Sequence, residues 1–244
     1  MVAAMLLLFQ VREASHYFMS VGNIHFSMRK ALVILILVAN LTAKGQSRIF
    51  ISAGAATSLG GTIDTFLASN RTAATIDAEY EKKIIGTMSV LTGVSWYGVG
   101  YKYDGTGFAS NSSSFSANYL AVPVMARWNM VNKNMLHLDF GIVTSWMAQA
   151  HLTENYTRFG FPQKADGDIA AYSNRLLIGA KFQETILLNR FTLTLYYMVT
   201  FKGQNTVKNL PEHWPLNQQQ SPYLQSNGYS DYSMLGFRVG LQLK

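Results

Sequence analysis

Tyr119-Leu120-Ala121-Val122-Pro123-Val124-Met125-Ala126-Arg127-Trp128, followed after a short break by Leu136-His137-Leu138-Asp139-Phe140-Gly141-Ile142, decides how this chain folds. Leu120, Val122, Val124, Ala126 and Trp128 fall on one side of an extended chain, and Tyr119, Ala121, Pro123, Met125 and Arg127 fall on the other, because successive side chains of a strand point to opposite faces. In the second stretch Leu136, Leu138, Phe140, Ile142 and Trp146 oppose His137, Asp139, Gly141 and Ser145. A helix would place Leu136, Phe140 and Val143 on one stripe but would draw in Asp139 with them. A period of two therefore fits and a helical period does not.

The same alternation recurs outward from these two segments. Residues 170–186 set Leu176, Ile178, Ala180 and Phe182 against Arg175, Gly179, Lys181 and Gln183. Residues 191–201 set Phe191, Leu193, Leu195, Tyr197, Val199 and Phe201 against Thr192, Thr194, Tyr196 and Thr200. Residues 229–243 set Leu235, Phe237, Val239, Leu241 and Leu243 against Gly236, Arg238, Gly240 and Gln242. Towards the N-terminus, residues 49–57, 73–80 and 88–103 complete a set of eight strands, the second with Ile76, Ala78 and Tyr80 against Asp77 and Glu79.

The gaps alternate in length. Short turns are expected at Glu81-Lys82-Lys83, at residues 129–134 and at Leu187-Leu188-Asn189. Long loops are expected at residues 58–71, 105–114, 153–168 and 203–228. Loop two is rich in Gly, Ser and Asn, and loop four carries Pro211, Pro215 and Pro222, which cannot donate to a sheet ladder. Tight turns at one rim and long loops at the other belong to a closed antiparallel up-and-down barrel in a bacterial outer membrane. A soluble sandwich has no cause to alternate in this way.

Ahead of the strands, Arg29 and Lys30 precede the uninterrupted apolar run 31–39 (ALVILILVA), and Ala43-Lys44-Gly45 supplies small residues at a peptidase site. Residues 28–45 read as a secretory signal cleaved before Gln46. The run is too short to favour a permanent transmembrane helix. Residues 1–27 read as an upstream extension, with translation starting at Met28 and a retained amphipathic segment as the alternative. The mature barrel then spans 46–244. Cysteine is absent from the 244 residues, so the exported chain has neither disulfides nor thiolate ligands. Of the net charge of +7, the mature part keeps about +4, because Arg12, Arg29, Lys30 and Lys44 lie before the cleavage site with only Glu13, and this modest basic excess suits anionic headgroups. No basic cluster interleaved with aromatics suggests nucleic acid.

The chemistry of the two faces orients the barrel. Arg127, Asp139, Arg175, Lys181 and Arg238 share a face with glycines, which suits a narrow polar lumen filled by side chains. The opposite face repeats large aliphatic residues and ends in Trp96, Trp128, Trp146 or Phe201, as an apolar band with aromatic rims does. A lipocalin-like soluble barrel would place the same faces the other way round.

Tyr119-Leu120-Ala121-Val122-Pro123 with Arg127 downstream, Leu136-His137-Leu138-Asp139-Phe140-Gly141, Gly179 and the closing Gly236-Phe237-Arg238-Val239-Gly240-Leu241 together resemble the PorT-like group of the outer-membrane β-barrel family of Bacteroidota. The resemblance covers about residues 48–244 and implies the barrel fold and a component of a secretion or envelope assembly. Members of that group usually end in an aromatic residue read by the barrel-assembly machinery, whereas this chain ends Leu243-Lys244.

Asp77, Glu79, Arg127, Asp139, Arg175, Lys181 and Arg238 are expected inside the barrel as a structural ion-pair network, with Arg127 and Asp139 as the first pair, because unpaired charges there would be costly. A proton or small-ion pathway is the functional alternative. His137, His151 and His213 do not make a metal site, no cofactor is expected, and no Gly-x-Ser-x-Gly elbow is present. Trp214, Tyr223 and Tyr229 in and beside loop four, with Tyr232 nearby, are the candidates for recognising an envelope protein or a surface glycan. The expected partners are outer-membrane lipid, the insertion machinery and such a loop ligand. A small pore and a membrane-embedded hydrolase or acyltransferase are the competing readings.

Overall fold

In the computed structural model the described residues are 47–60, 68–104, 112–130, 135–159, 161–173, 175–201, 214–215 and 232–243. The leader, the start at Met28, Tyr223 and Tyr229 lie outside them. The strands are β1 (Ser47–Gly60), β2 (Ala68–Asn70), β3 (Thr72–Ile85), β4 (Met88–Asp104), β5 (Ser112–Asn129), β6 (Leu136–Arg158), β7 (Phe161–Asp168), β8 (Leu176–Leu188), β9 (Phe191–Thr200) and β10 (Tyr232–Gln242).

Every pairing is antiparallel. The order β4-β3-β1-β10-β9-β8-β6-β5 is joined into a ring by the pairing of β4 with β5, so eight strands close the barrel. The two remaining strands are additions, β2 on the end of β4 and β7 on the end of β6. Closure leaves the barrel strands without an open edge.

The period-two reading of the faces agrees with the structure strand by strand. On β5, Leu120, Val122, Val124 and Trp128 are exposed, whereas Tyr119, Ala121, Pro123, Met125 and Arg127 are buried. On β10, Leu235, Phe237, Val239 and Leu241 are exposed, whereas Gly236, Arg238 and Gly240 are buried. Large aliphatic residues outside and ionised groups inside reverse the order of a soluble barrel, and this inside-out arrangement makes the chain a transmembrane barrel of the bacterial outer-membrane type.

Several boundaries differ from the sequence reading. Glu81, Lys82 and Lys83 lie inside β3, and the chain turns later at Gly86-Thr87, where Gly86 takes φ +53°. Ser112 to Ser114, expected in loop two, belong to β5. Loop three is largely a β-hairpin: β6 runs on to Arg158 and β7 returns from Phe161, with Phe159 at φ 52° in the turn. Pro162 is tolerated in β7 because that strand pairs on one side only. Residues 170–172 form a single 3-10 turn, so the sixth barrel strand begins at Leu176.

The outward chemistry changes part-way along the longest strands. Beyond Leu120, β5 turns outward Asn118, Ser116, Ser114 and Ser112, while Ala117 and Phe115 are buried on its inner side. Beyond Trp146, β6 passes a bulge opposite Asn118 and Tyr119, after which Ala150, Leu152 and Tyr156 are buried and His151 and Asn155 are exposed. The loop end of the barrel is thus apolar inside and polar outside, as in a water-soluble sheet. The apolar belt occupies the rest.

Candidate functional site

Inside the belt, inward positions of β3, β5, β6, β8 and β10 carry the charged side chains. Arg127 donates from Nε to Asp139 Oδ1 at 2.7 Å, from Nη2 to Asp139 Oδ2 at 2.8 Å and from Nη1 to Glu81 Oε2 at 3.1 Å. The register brings Arg127 directly opposite Asp139. Gln183 Nε2 donates to the same Asp139 Oδ2 at 2.7 Å, and its Oε1 accepts from Arg238 Nη2 at 2.7 Å. Arg238 Nη1 then meets Asp77 Oδ1 at 2.6 Å and Glu79 Oε1 at 3.3 Å.

This chain of contacts starts at Glu81 and returns to Asp77 and Glu79, all on β3. It therefore runs once round the lumen, with the Gln183 amide joining its two charged halves. Lys181 sits 3.7 Å from Asp77 and 3.8 Å from Glu79, with its ammonium 5.0 Å from the centre of the Tyr196 ring. The guanidinium of Arg238 lies 4.9 Å from the centre of that ring, and that of Arg127 lies 5.1 Å from the centre of the Phe50 ring. Ser95 donates its hydroxyl to Asp77. Arg127, Asp139 and Arg238 are at most 1% exposed, so each charge depends on these partners and not on water.

Six of the seven charged residues expected in the lumen are brought together there. Arg175 is the exception and requires a correction: it is exposed at the loop end of β8 and donates from Nε to the Ala170 carbonyl at 3.2 Å. It lies one residue before its strand begins, where the alternation no longer governs its direction. Glu81 and Gln183 are network members that the sequence reading did not select. Extending the alternation from Asp77 and Glu79 by one step would have found Glu81.

Above the charged ring the lumen is packed with Tyr97, Val99, Tyr101, Phe115, Tyr119, Met147 and Leu152, all buried. Tyr97 and Tyr119 stack at 5.4 Å between ring centres, and Tyr97 donates to Ser145 Oγ at 2.7 Å. At the turn end His137 Nδ1 hydrogen-bonds Asn129 Oδ1. Among the described residues no group of three His, Cys, Asp or Glu is arranged to hold a metal ion. The lumen holds buried cations matched to carboxylates.

At the loop end, the ring of the candidate recognition residue Trp214 is buried against Gly167, and its Nε1 donates to Glu154 Oε2 at 2.9 Å, so this side chain packs onto the β6–β7 hairpin. Outside that hairpin, Asp166 Oδ1 receives the Thr153 hydroxyl, hydrogen-bonds His151 Nε2 at 3.1 Å and lies 3.5 Å from Lys164 Nζ. These contacts, the Thr153 hydrogen bond foremost and then that of His151, hold the exposed Asp166 carboxyl down at about 2. On the same outer face Asn118 Nδ2 donates to Gln149 Oε1 at 3.2 Å and Asn155 Nδ2 to Ser112 Oγ at 3.0 Å.

No family model and no curated protein matches the chain. Among solved structures it is similar to Ail, the attachment invasion locus protein of Yersinia pestis, crystallised with the heparin analogue sucrose octasulfate. That likeness is 9% identical over 82% of this chain and 99% of that one, with a TM-score of 0.40. It is also similar to Acinetobacter baumannii CarO, at 12% identity over 78% of this chain and 96% of that one, with a TM-score of 0.45. Neisserial surface protein A gives 10% identity over 80% and 96%, with a TM-score of 0.36.

Proposed function

We propose that this chain is a non-enzymatic outer-membrane barrel that conducts no solute and acts through its loop end, as a binding or structural component of a secretion or envelope assembly. The filled lumen carries this reading: a ring of ion pairs from Glu81 round to Asp77 lies below a plug of stacked tyrosines and buried aliphatic side chains. A barrel of this strand number has room for its own side chains and little else. The turns at Gly86 and Asn189 then lie on the periplasmic side and the β6–β7 hairpin on the outer side. The strand motifs around Pro123 and Gly236, which resemble those of the PorT-like group, support the place in an assembly, and the apolar run 31–39 followed by Ala43-Lys44-Gly45 supports an exported chain with its leader at 28–45.

Planar-bilayer recording tests the closed lumen. Purified barrel should give no steady current, and a stable single-channel conductance would overturn the reading in favour of a small pore. Purification from native membranes in mild detergent tests the assembly: a stoichiometric envelope partner supports it, and elution of the barrel alone counts against it.

A further inference from the structure

We propose that the outward face of β5 and β6 above the apolar belt is a docking surface for the sugar headgroup of an outer-leaflet glycolipid. The inference rests on the outer-membrane reading above. Its surface is continuous with the lipid-facing belt: on β5, Asn118, Ser116, Ser114 and Ser112 follow Leu120 on the same outward side, each half-buried in the sheet face. Gln149 and Asn155 of β6 stand opposite Asn118 and Ser112.

Height selects the ligand. Asn118 lies two residues beyond Leu120 and Ser112 lies eight beyond it. With a rise of about 3.4 Å per residue and a strand tilt of about 40°, these positions stand roughly 5 Å and 20 Å above the belt. The polar layer of a phospholipid leaflet is only about 5–8 Å deep. Asn118 and Gln149 therefore sit at headgroup level for any lipid. The serine positions meet lipid only if its headgroup is built of several sugars.

The chemistry of the face fits a sugar headgroup, whose hydroxyls both donate and accept hydrogen bonds and whose acidic substituents can meet the cations at the edge of the face. The groups of the face are hydroxyls and amides flanked by basic side chains, with Lys102 opposite Ser114, His151 opposite Ser116 and Arg71 lying over Gly100, and the acid beside them, Asp166, is already matched by Thr153, His151 and Lys164. The Asn118–Gln149 and Asn155–Ser112 bonds fix the amide orientations and leave further donors and acceptors on the same groups. Neighbouring strands present them about 4.8 Å apart, close to the length of one sugar residue, so an oligosaccharide lying across the strands meets a hydrogen-bonding group at each step.

The test is native mass spectrometry of the full chain released from nanodiscs. The discs contain phospholipid alone, phospholipid with glycolipid bearing its complete core oligosaccharide, or phospholipid with the same glycolipid trimmed to its anchor-proximal sugars. The barrel should retain the complete glycolipid and should retain the trimmed form about tenfold less, the loss of one to two hydrogen bonds to sugar. Ser114→Glu with Ser116→Glu should lower retention of the complete form to the trimmed level. Ser116→Ala with Gln149→Ala, which adds no charge or bulk, should lower it in the same direction.

Equal retention of complete and trimmed glycolipid would overturn the proposal, as would unchanged retention by both double variants. Equally tight binding of the free oligosaccharide would also overturn it, making the face a reader of soluble glycan. The closed-lumen reading fails separately, by a current from the same preparation.

Discussion

Arg127 and Asp139 face each other across β5 and β6 as a two-pronged ion pair, with Nε to Oδ1 at 2.7 Å and Nη2 to Oδ2 at 2.8 Å. Their register partnership places a fork-shaped cation directly opposite a planar anion, a geometry that lysine cannot copy. Arg127→Leu leaves Asp139 and Glu81 without their shared cation, and breaking a buried pair from one side costs about 3–5 kcal/mol. Urea unfolding in detergent micelles should show a loss of that size, with Arg127→Lys falling between the variant and the parent. An unchanged unfolding free energy for Arg127→Leu would show that the ring does not hold the barrel together.

The seam between first and last strands depends on a glycine. A Cβ on Gly54 would lie 1.9 Å from the Phe237 carbonyl oxygen and 2.7 Å from Arg238 Cα, both backbone atoms that cannot move aside alone. Gly54→Ala should prevent closure of β1 against β10 and displace Arg238 with it. The folded fraction, read from electrophoretic mobility before and after heating, should fall to near zero. Gly86→Ala differs, since nothing lies within 4 Å and only the φ of +53° opposes a side chain. It should cost about 1–2 kcal/mol and leave the barrel closed.

The inside-out order of the faces predicts a contrast along one strand. Val124 lies at the middle of the apolar run of β5, and Ser114 lies beyond its end, both outward. Val124→Arg should destabilise the barrel in lipid by about 2–4 kcal/mol, the cost of a cation near mid-membrane. Ser114→Arg should change stability little. Equal small effects from the two would place the belt elsewhere on the barrel.

How much the sequence disclosed depended on where each residue lies along its strand. Within the belt, lipid on one side and a closed lumen on the other enforce strict alternation, so Arg127, Asp139, Lys181 and Arg238 could be assigned from their neighbours alone. Near the rims water reaches both faces and the constraint relaxes. Glu81-Lys82-Lys83 therefore looked like a solvated turn although Glu81 is buried against Arg127. Past Trp146 the inner side becomes apolar and the outer side polar, and a bulge shifts the phase. That inversion disguised the β6–β7 hairpin as a loop. The bond from Trp214 to Glu154 joins residues far apart in sequence, and no local pattern announces it.

Asp166 gives the hairpin a defined acid response. Its carboxyl is held at about 2 against an ordinary 3.8, so the folded hairpin favours the charged form more than the unfolded chain does. The stabilisation is complete above the ordinary value and is lost as pH falls from about 4 through about 2. Carbon-detected NMR of the Asp166 carboxyl should give a midpoint near 2, and Thr153→Val should move it up towards the ordinary value. A midpoint near 4 in the parent would mean that the Thr153 and His151 contacts do not form in solution.

Trp214 packs onto the β6–β7 hairpin, and the part played by its indole nitrogen can be separated from that of the ring. Trp214→Phe keeps an aromatic ring over Gly167 but removes the donor to Glu154, whose side chain is fully sealed from solvent. A hydrogen bond to a charged group contributes about 1.5–3 kcal/mol, so amide exchange in β6 and β7 should accelerate by about tenfold or more if the hairpin opens locally. Trp214→Ala removes the packing as well and should accelerate it further. The charged ring lies in the belt, away from this contact, so exchange at Arg127 and Asp139 should stay as slow as in the parent. A surface recognition residue would behave in the opposite way: its loss would weaken binding and leave hairpin exchange untouched. The two measurements on Trp214→Phe therefore separate a packing role from a ligand-facing one.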